Sequence, residues 1–305
     1  MDKKGHIWPF GGIIMYTIGE TIKKIRTSKN LTRESLCSNM LSVATLKRIE
    51  KDSINTSFSN LEYILQQLNI SFDEFIFIRN NYQLPQKKQL IFEFRELTSI
   101  SVDGEHIESL ISKYKTYLQN FDDKEISNRL YFLKALLVIN QTKDLKQGTP
   151  LVEHIWSSLE KLDTWYWADL QILSNIFYIF PMKEAESIVE LLLERVNKYD
   201  SFNNSERLYI ALLLNYIQVL MLNENYHKAY SLVDKAIAFA KNKKMYLHWA
   251  NAIAKKGLLE KILHYTNGDL YIDQAKQILK VIQEPKYLED LEQDIHTFLS
   301  SKTDS

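Results

Sequence analysis

The chain has 305 residues, 45% hydrophobic and 25% charged, a composition that fits one large folded domain or two ordinary ones and excludes a mainly disordered polymer. Its 38 basic residues balance its 38 acidic ones, so bulk charge marks it neither for nucleic acid nor for an anionic surface, and such a role must be read from local pattern. Cys37 is the only cysteine, which excludes an intrachain disulfide and a thiolate-rich zinc site and fits a reducing, cytoplasmic compartment. Only 8 Gly and 5 Pro interrupt the Leu, Ile, Lys, Glu, Asn and Gln that dominate the rest, so the expected fold class is all-α.

Residues 1–16 begin MDKKGHIWPFGGII, with two lysines and no continuous apolar core, and are read as a leader or tag-like segment rather than a secretory signal. From there Ile18, Ile22 and Ile25 recur at helical spacing with Lys23, Lys24 and Arg26 on the other side, which predicts a helix over 18–28. Thr32 is a good N-cap for a short second helix carrying Leu36, Cys37 and Met40, with Cys37 as a small buried thiol rather than a nucleophile. Ser42 is a good N-cap for a third helix, Val43 to Lys51, after a connection of about two residues. Two short helices joined so briefly form a helix-turn-helix. A fourth helix follows from about Ser57, with Leu61, Ile64, Leu65 and Leu68 apolar, and the capping box Ser71-Phe72-Asp73-Glu74 opens a fifth.

On the third helix Leu46 and Ile49 must face the core, which leaves Val43, Ala44, Lys47, Arg48 and Lys51 for solvent or DNA. In such a unit the N-terminal part of this helix meets base edges in the major groove while neighbouring cations meet phosphates. Ser42, Val43, Ala44 and Thr45 are short enough for close approach, with methyls suited to thymine and hydroxyls suited to a base edge or a phosphate. Arg33 joins the three cations of the third helix as a candidate DNA contact. Residues 15–82 hold nine basic against seven acidic side chains, a small excess, and a basic residue on a small bundle is more often solvated than bound to DNA. Pattern alone leaves both readings open.

The run Gly19-Glu20-Thr21-Ile22-Lys23-Lys24-Ile25-Arg26, then Ser35-Leu36, Leu46-Lys47-Arg48-Ile49-Glu50-Lys51, Leu61 to Leu68 and Asn69-Ile70-Ser71-Phe72-Asp73-Glu74-Phe75 resembles the headpiece of Rgg/GadR/MutR-type regulators. The resemblance implies a Cro/repressor-like DNA-binding domain joined to tetratricopeptide-like repeats that answer to a signalling peptide, as in quorum sensing. The chain departs from the pattern at Thr45, where relatives often carry Gln, and at Glu50-Lys51-Asp52, where they often carry Glu-Arg-Gly, so individual base contacts are not carried over.

The polar stretch Gln83-Leu84-Pro85-Gln86-Lys87-Lys88 breaks the pattern and places a domain boundary, with a DNA-binding domain at 17–82 and a helical-repeat domain at 83–305. Within the latter, Ala185-x-x-x-Val189-x-x-Leu192 is echoed by Ala229-x-x-x-Val233-x-x-Ala236 and by Ala275-x-x-x-Leu279-x-x-Ile282, at spacings of 44 and 46. These exceed the tetratricopeptide period of about 34. The middle copy, from Asn225 to Ala236, reads as the second helix of a tetratricopeptide-like unit, and the resemblance extends here through Leu212-Leu213-Leu214-Asn215 and Lys256-Gly257-Leu258-Leu259. The longest apolar stretch, Leu208 to Leu222, is short for a membrane span and broken by Asn215 and Gln218, so it is expected to be a buried helix and no membrane partner is expected.

Stacked helix pairs present a concave face suited to an extended ligand. An extended peptide brings unpaired donors and acceptors at every residue, which amide side chains can meet with both functions at once. Asn175, Asn215 and Asn251 fall at or near the middle of the inferred inner helices among apolar residues, where each either bonds a neighbouring helix or clamps a peptide. The resemblance implies the clamp, with Tyr178 and Trp249 taken from a wider aromatic set (Tyr166, Trp167, Phe177, Tyr209 and Tyr216) that is otherwise core. Phosphate-binding glycine loops are absent, the seven histidines are scattered, and Glu184/Glu186 and Asp290/Glu292 lie at i, i+2 on helices and point apart, so no enzyme, metal or cofactor is expected. Pro285 opens a last helix whose face of Tyr287, Leu288, Leu291, Ile295, Phe298 and Leu299 needs a partner, expected to be a second subunit rather than the preceding repeat.

The resulting expectation is a homodimeric, sequence-specific regulator of transcription that binds double-stranded DNA and a short hydrophobic peptide. The alternatives are a helical-repeat scaffold for a protein partner and a constitutive DNA binder with no small ligand.

Overall fold

The computed structural model describes residues 15–97 and 104–303, and among them the named elements are all helices. The chain divides into two compact units, the first ending at Asp122 and the second beginning at Asp123. The expected division at residues 82 and 83 falls at the turn that precedes α6, whereas the compact units divide after α7.

The first unit holds α1 (Ile18–Ser28), α2 (Arg33–Leu36), α3 (Val43–Glu50), α4 (Phe58–Leu68), α5 (Phe72–Arg79), α6 (Gln86–Leu97) and α7 (Gly104–Leu118). Each of the first five starts at a hydroxyl side chain that accepts from an N–H of its first turn: Thr17, Thr32, Ser42, Ser57 and Ser71. Such caps satisfy donors that the helix itself cannot. The five helices close on one apolar cluster, with Ile22, Leu46, Ile64 and Phe75 fully buried at its centre.

The second helix is shorter than its sequence predicts. It stops at Leu36, and Cys37 to Leu41 form a turn in which Ser38 and Leu41 pair their backbones. Leu41 fills the core position instead, Met40 is 70% exposed, and Cys37 sits half-buried at the helix end rather than inside it. Cys-Ser-Asn is a poor helix sequence, and the core needs only one further apolar group there. The connection between α2 and α3 is therefore six residues, not two.

Scarce glycine does not mean scarce turns. Asn30, Asp52, Asn69 and Asn81 end headpiece helices in the left-handed region, and Glu224, Lys244, His264 and Gln283 do the same in the second unit. After each, the next N–H donates to a carbonyl five residues back, as from Leu31 to Arg26 and from Met245 to Ala240. This closure satisfies end carbonyls, and glycine usually supplies it.

The second unit holds α8 (Lys124–Thr142), α9 (Thr149–Leu159), α10 (Trp167–Ile176), α11 (Met182–Asn197), α12 (Ser205–Leu222), α13 (Tyr226–Asn242), α14 (Tyr246–Ile262), α15 (Gly268–Val281) and α16 (Pro285–Thr303). Helices α8, α10, α12, α14 and α16 pack each against the next to form an inner layer, and α9, α11, α13 and α15 each pack against two consecutive members of it. This is the arrangement of a tetratricopeptide-like array. Ala185, Ala229 and Ala275, the openings of the three repeated strings, are fully buried on α11, α13 and α15. A small residue at each crossing lets the outer helices seat closely.

The tightest crossing joins α14 to α15. A Cβ on Gly257 would lie 2.7 Å from the Gly268 carbonyl oxygen and 3.0 Å from the Ile272 nitrogen. Backbone atoms cannot move aside as a side-chain tip can. Gly257→Ala is therefore expected to lower stability by about 1–3 kcal/mol despite its better helix propensity. Urea denaturation measures this, and an unchanged or raised midpoint would contradict the packing described.

The apolar face of α16 is turned largely into its own chain. Ile295 and Phe298 are buried, and Leu291 packs against the cluster of Ile253, Ala254 and Ala275. The preceding repeat, rather than a second subunit, covers this part of the face, because α15 and α14 both reach it. Tyr287 remains exposed. Among the described residues no helix is long and apolar enough to cross a membrane, and the apolar stretch from Leu208 to Leu222 lies within α12.

Candidate functional site

Two surfaces, one in each unit, carry the predicted residues. In the first, α3 turns Leu46 and Ile49 into the core and leaves Ala44, Lys47 and Arg48 exposed, with Lys51 exposed at its end. Ser42 at the N-cap is exposed, and its hydroxyl accepts from the Thr45 N–H while lying 2.8 Å from the Thr45 hydroxyl. Val43 and Thr45 are half-buried. The helix thus presents small residues at its N-terminal turn and cations along one side.

Arg33 is placed differently. Its Nε donates to Glu50 Oε2 at 2.7 Å, while Arg26 Nε donates to Glu50 Oε1 at 2.6 Å. The Glu50 side chain is completely buried, so one carboxylate of α3 holds α1 and α2 together. Arg26 also donates to the Leu31 carbonyl at 2.6 Å, and its bond to Glu50 raises its pKa. This triad was missed by sequence reasoning, since a charge at the edge of an amphipathic pattern looks like a surface charge. The signal that could have found it is that Glu50 follows Ile49 directly and Arg26 follows Ile25, both at the border of the buried face.

The departure at Asp52 also has a structural consequence. Asp52 stands in the left-handed region with φ 52°, a backbone that suits glycine. Its carboxylate accepts from the Gly19 N–H at 3.1 Å and from the Thr17 hydroxyl, so it ties the end of α3 to the start of α1. A glycine could supply the backbone but not these bonds.

In the second unit, Asn175, Asn215 and Asn251 lie one each on α10, α12 and α14, all inner helices. Asn215 is exposed, contrary to the expectation that all three are embedded among apolar residues. Asn175 is half-buried and its Nδ2 donates to the Gln171 carbonyl one turn back. The Asn251 Oδ1 is shut off from solvent and accepts no hydrogen bond.

Further polar groups continue the row. Gln171 of α10 accepts from Arg129 of α8 at 3.1 Å, and Gln218 of α12, three residues after Asn215, accepts from Lys255 of α14. Residues three or four apart share a helix face. Asn215 with Gln218, and Asn251 with Lys255, are therefore neighbours on the side where α12 and α14 meet. Tyr178 follows α10 in a short 3-10 turn, and burial pushes its hydroxyl up to about 12. Trp249 stands two residues before Asn251 on α14 and packs against the cluster of Ile253, Ala254 and Ala275, with the Lys241 ammonium of α13 over its ring at 5.7 Å. Of the wider aromatic set, Phe177, Tyr209 and Tyr216 are core, and Tyr166 is 68% exposed.

Residues 108–293 match the family described as HTH-type transcriptional regulator Rgg, C-terminal domain, and residues 22–75 match a helix-turn-helix family. Among solved structures, a chain described as a transcriptional regulator of Listeria monocytogenes EGD-e is 20% identical with a TM-score of 0.78, the match covering 95% of this chain and 99% of that one. PlcR of Bacillus thuringiensis, solved with the peptide PapR7 and DNA, is 19% identical over 90% of this chain and 98% of its own, with a TM-score of 0.68. The SHP pheromone receptor Rgg2 of Streptococcus dysgalactiae is 17% identical over 92% and 99%, with a TM-score of 0.67. At these identities the likeness is one of fold.

Proposed function

The chain belongs to the Rgg family of helix-turn-helix transcriptional regulators, and from that premise we propose that its grip on DNA is set by a short, largely apolar signalling peptide held on the inner face of the array. The observation that carries this reading is the row of amides on α10, α12 and α14, with Asn215 exposed in the middle of a helix otherwise rich in buried leucine. An amide offers a donor and an acceptor together, the pair that each peptide unit of an extended ligand needs. The solved complex of PlcR with a peptide and DNA, and the pheromone receptor Rgg2, support the same assignment through their shared fold.

In this reading residues 17–82 bind double-stranded DNA. The N-terminal turn of α3 enters the major groove, with Ser42, Val43, Ala44 and Thr45 nearest the base edges and Lys47, Arg48 and Lys51 on phosphates. Arg33 serves the interface by holding α2 against Glu50. Two headpieces of a homodimer meet two half-sites, and the peptide acts by preferring one arrangement of the dimer. Asn175, Asn215, Asn251 and Tyr178 line the peptide face.

Asn215→Ala tests the peptide face. The variant is expected to bind a synthetic peptide, taken from a short reading frame beside the gene, about ten- to a hundredfold more weakly by calorimetry, the effect of leaving a peptide amide unpaired. Because the side chain is exposed, the thermal midpoint should hardly move. Undiminished peptide affinity in the variant would remove Asn215 from the site.

A further inference from the structure

We propose that Lys255, supported by Gln218 and Asn251, forms a carboxylate-recognising subsite where α12 meets α14, and that it sets which way the peptide lies. The inference rests on the reading of the inner face as a peptide site and names the chemistry that face selects: a peptide bearing an anionic group, either its C-terminal carboxylate or an Asp or Glu side chain.

Three observations converge there. First, Lys255 is a half-buried cation among the inner helices with no carboxylate at contact distance. Its Nζ donates to the Gln218 side-chain oxygen, and among the described residues no carboxylate comes within ion-pair distance of it. Asp294 of α16 acts on it only through its longer-range field. Burial pulls the ammonium down to about 8, so it is still protonated at neutral pH and carries a charge that is poorly solvated. A half-buried cation whose nearest carboxylate, Asp294, acts only from a distance is incompletely compensated, and an arriving carboxylate supplies the close partner it lacks.

Second, Asn251 presents a sealed acceptor with no donor. It stands one turn before Lys255 on α14, about 6 Å along the axis. That separation suits a peptide whose backbone N–H donates to Asn251 Oδ1 while its carboxylate reaches Nζ. Third, Gln218 uses its oxygen for Lys255, which leaves its amide NH2 as a neutral donor beside the charged one. The acidic end of the peptide then lies at α12 and α14, and its apolar remainder runs toward α10 and Asn175.

The test uses the full-length chain and mixtures of synthetic octapeptides of Val, Ile, Leu, Phe and Gly. One mixture has free C-terminal carboxylates, one has C-terminal carboxamides, and one has carboxamides with a single internal Asp. Peptides retained by the immobilised protein are quantified by mass spectrometry. The wild type is expected to retain one or both acid-bearing mixtures at least about tenfold better than the acid-free amides. The mixture preferred tells whether the carboxylate is terminal or internal. Lys255→Met should erase the preference while retaining the acid-free mixture as the wild type does. Lys255→Gln, which keeps a donor but not the charge, should erase it too and guards against misfolding of the first variant. Equal retention of all three mixtures by the wild type, or a preference that survives both substitutions, would overturn the subsite while leaving the peptide reading in place. Failure of the wild type to retain any mixture would overturn both.

Discussion

Replacing Glu50 by Gln is expected to cost the headpiece about 3–5 kcal/mol, the usual penalty for removing one partner of a buried ion pair. The carboxylate is fully buried between Arg26 and Arg33, and Arg26 is itself nearly buried, so the variant leaves two guanidiniums facing a neutral amide. Hydrogen exchange on the full-length chain reads the effect locally: amides of α1 to α3 should lose protection while those of α12 to α14 keep theirs. The triple replacement of Arg26 and Arg33 by Met and Glu50 by Leu should recover most of the loss, because an apolar cluster of similar volume needs no pairing. Unchanged protection in Glu50→Gln would mean that the triad does not hold the three helices.

The double substitution Lys47→Ala with Arg48→Ala is the second large effect. Both side chains leave the Leu46 and Ile49 face, so the fold should be intact. Each lost phosphate contact lowers the slope of log affinity against log salt by about 1, so the pair lowers it by about 2. At low salt the affinity for DNA should fall about a hundredfold. A folded double variant with wild-type slope and affinity would move the DNA-binding surface away from α3.

These effects show which parts of the molecule can be read from sequence. Helix caps and apolar periods are local, so Ile18 to Ser28 and Ser42 to Glu50 follow from neighbours a few residues apart. The repeated alanines were equally legible, because a small residue recurring at a helix crossing leaves a period. Tertiary competition is not local. Met40 and Leu41 are both apolar and adjacent, and only the space left by α1 and α4 decides that Leu41 goes in and Met40 stays out.

The same reason hid half of the candidate site. Asn251 was legible as an amide within an apolar run, but Lys255 reads in the sequence as one more exposed lysine, since its buried setting comes from α12 and α16, tens of residues away. Trp249 shows the same limit from the other side. It stands two residues from Asn251, a separation that puts the two on different sides of a helix, and its packing against Ile253, Ala254 and Ala275 depends on helices far away in sequence. The face of α16 looked unpartnered because the alternation that marks an apolar stripe does not say what will cover it.

The proposed action is DNA binding through α3 that changes when a peptide occupies the array. The most direct measurement is fluorescence anisotropy of the full-length protein on labelled duplex DNA from upstream of its own gene, between 50 and about 200 mM salt, with and without the synthetic peptide from the neighbouring short reading frame. The predicted result is tight binding that weakens by about a thousandfold or more across this salt range, and a peptide-dependent change in the binding curve that Asn215→Ala moves to about ten- to a hundredfold higher peptide concentration. Weak binding that responds neither to salt nor to peptide would contradict it.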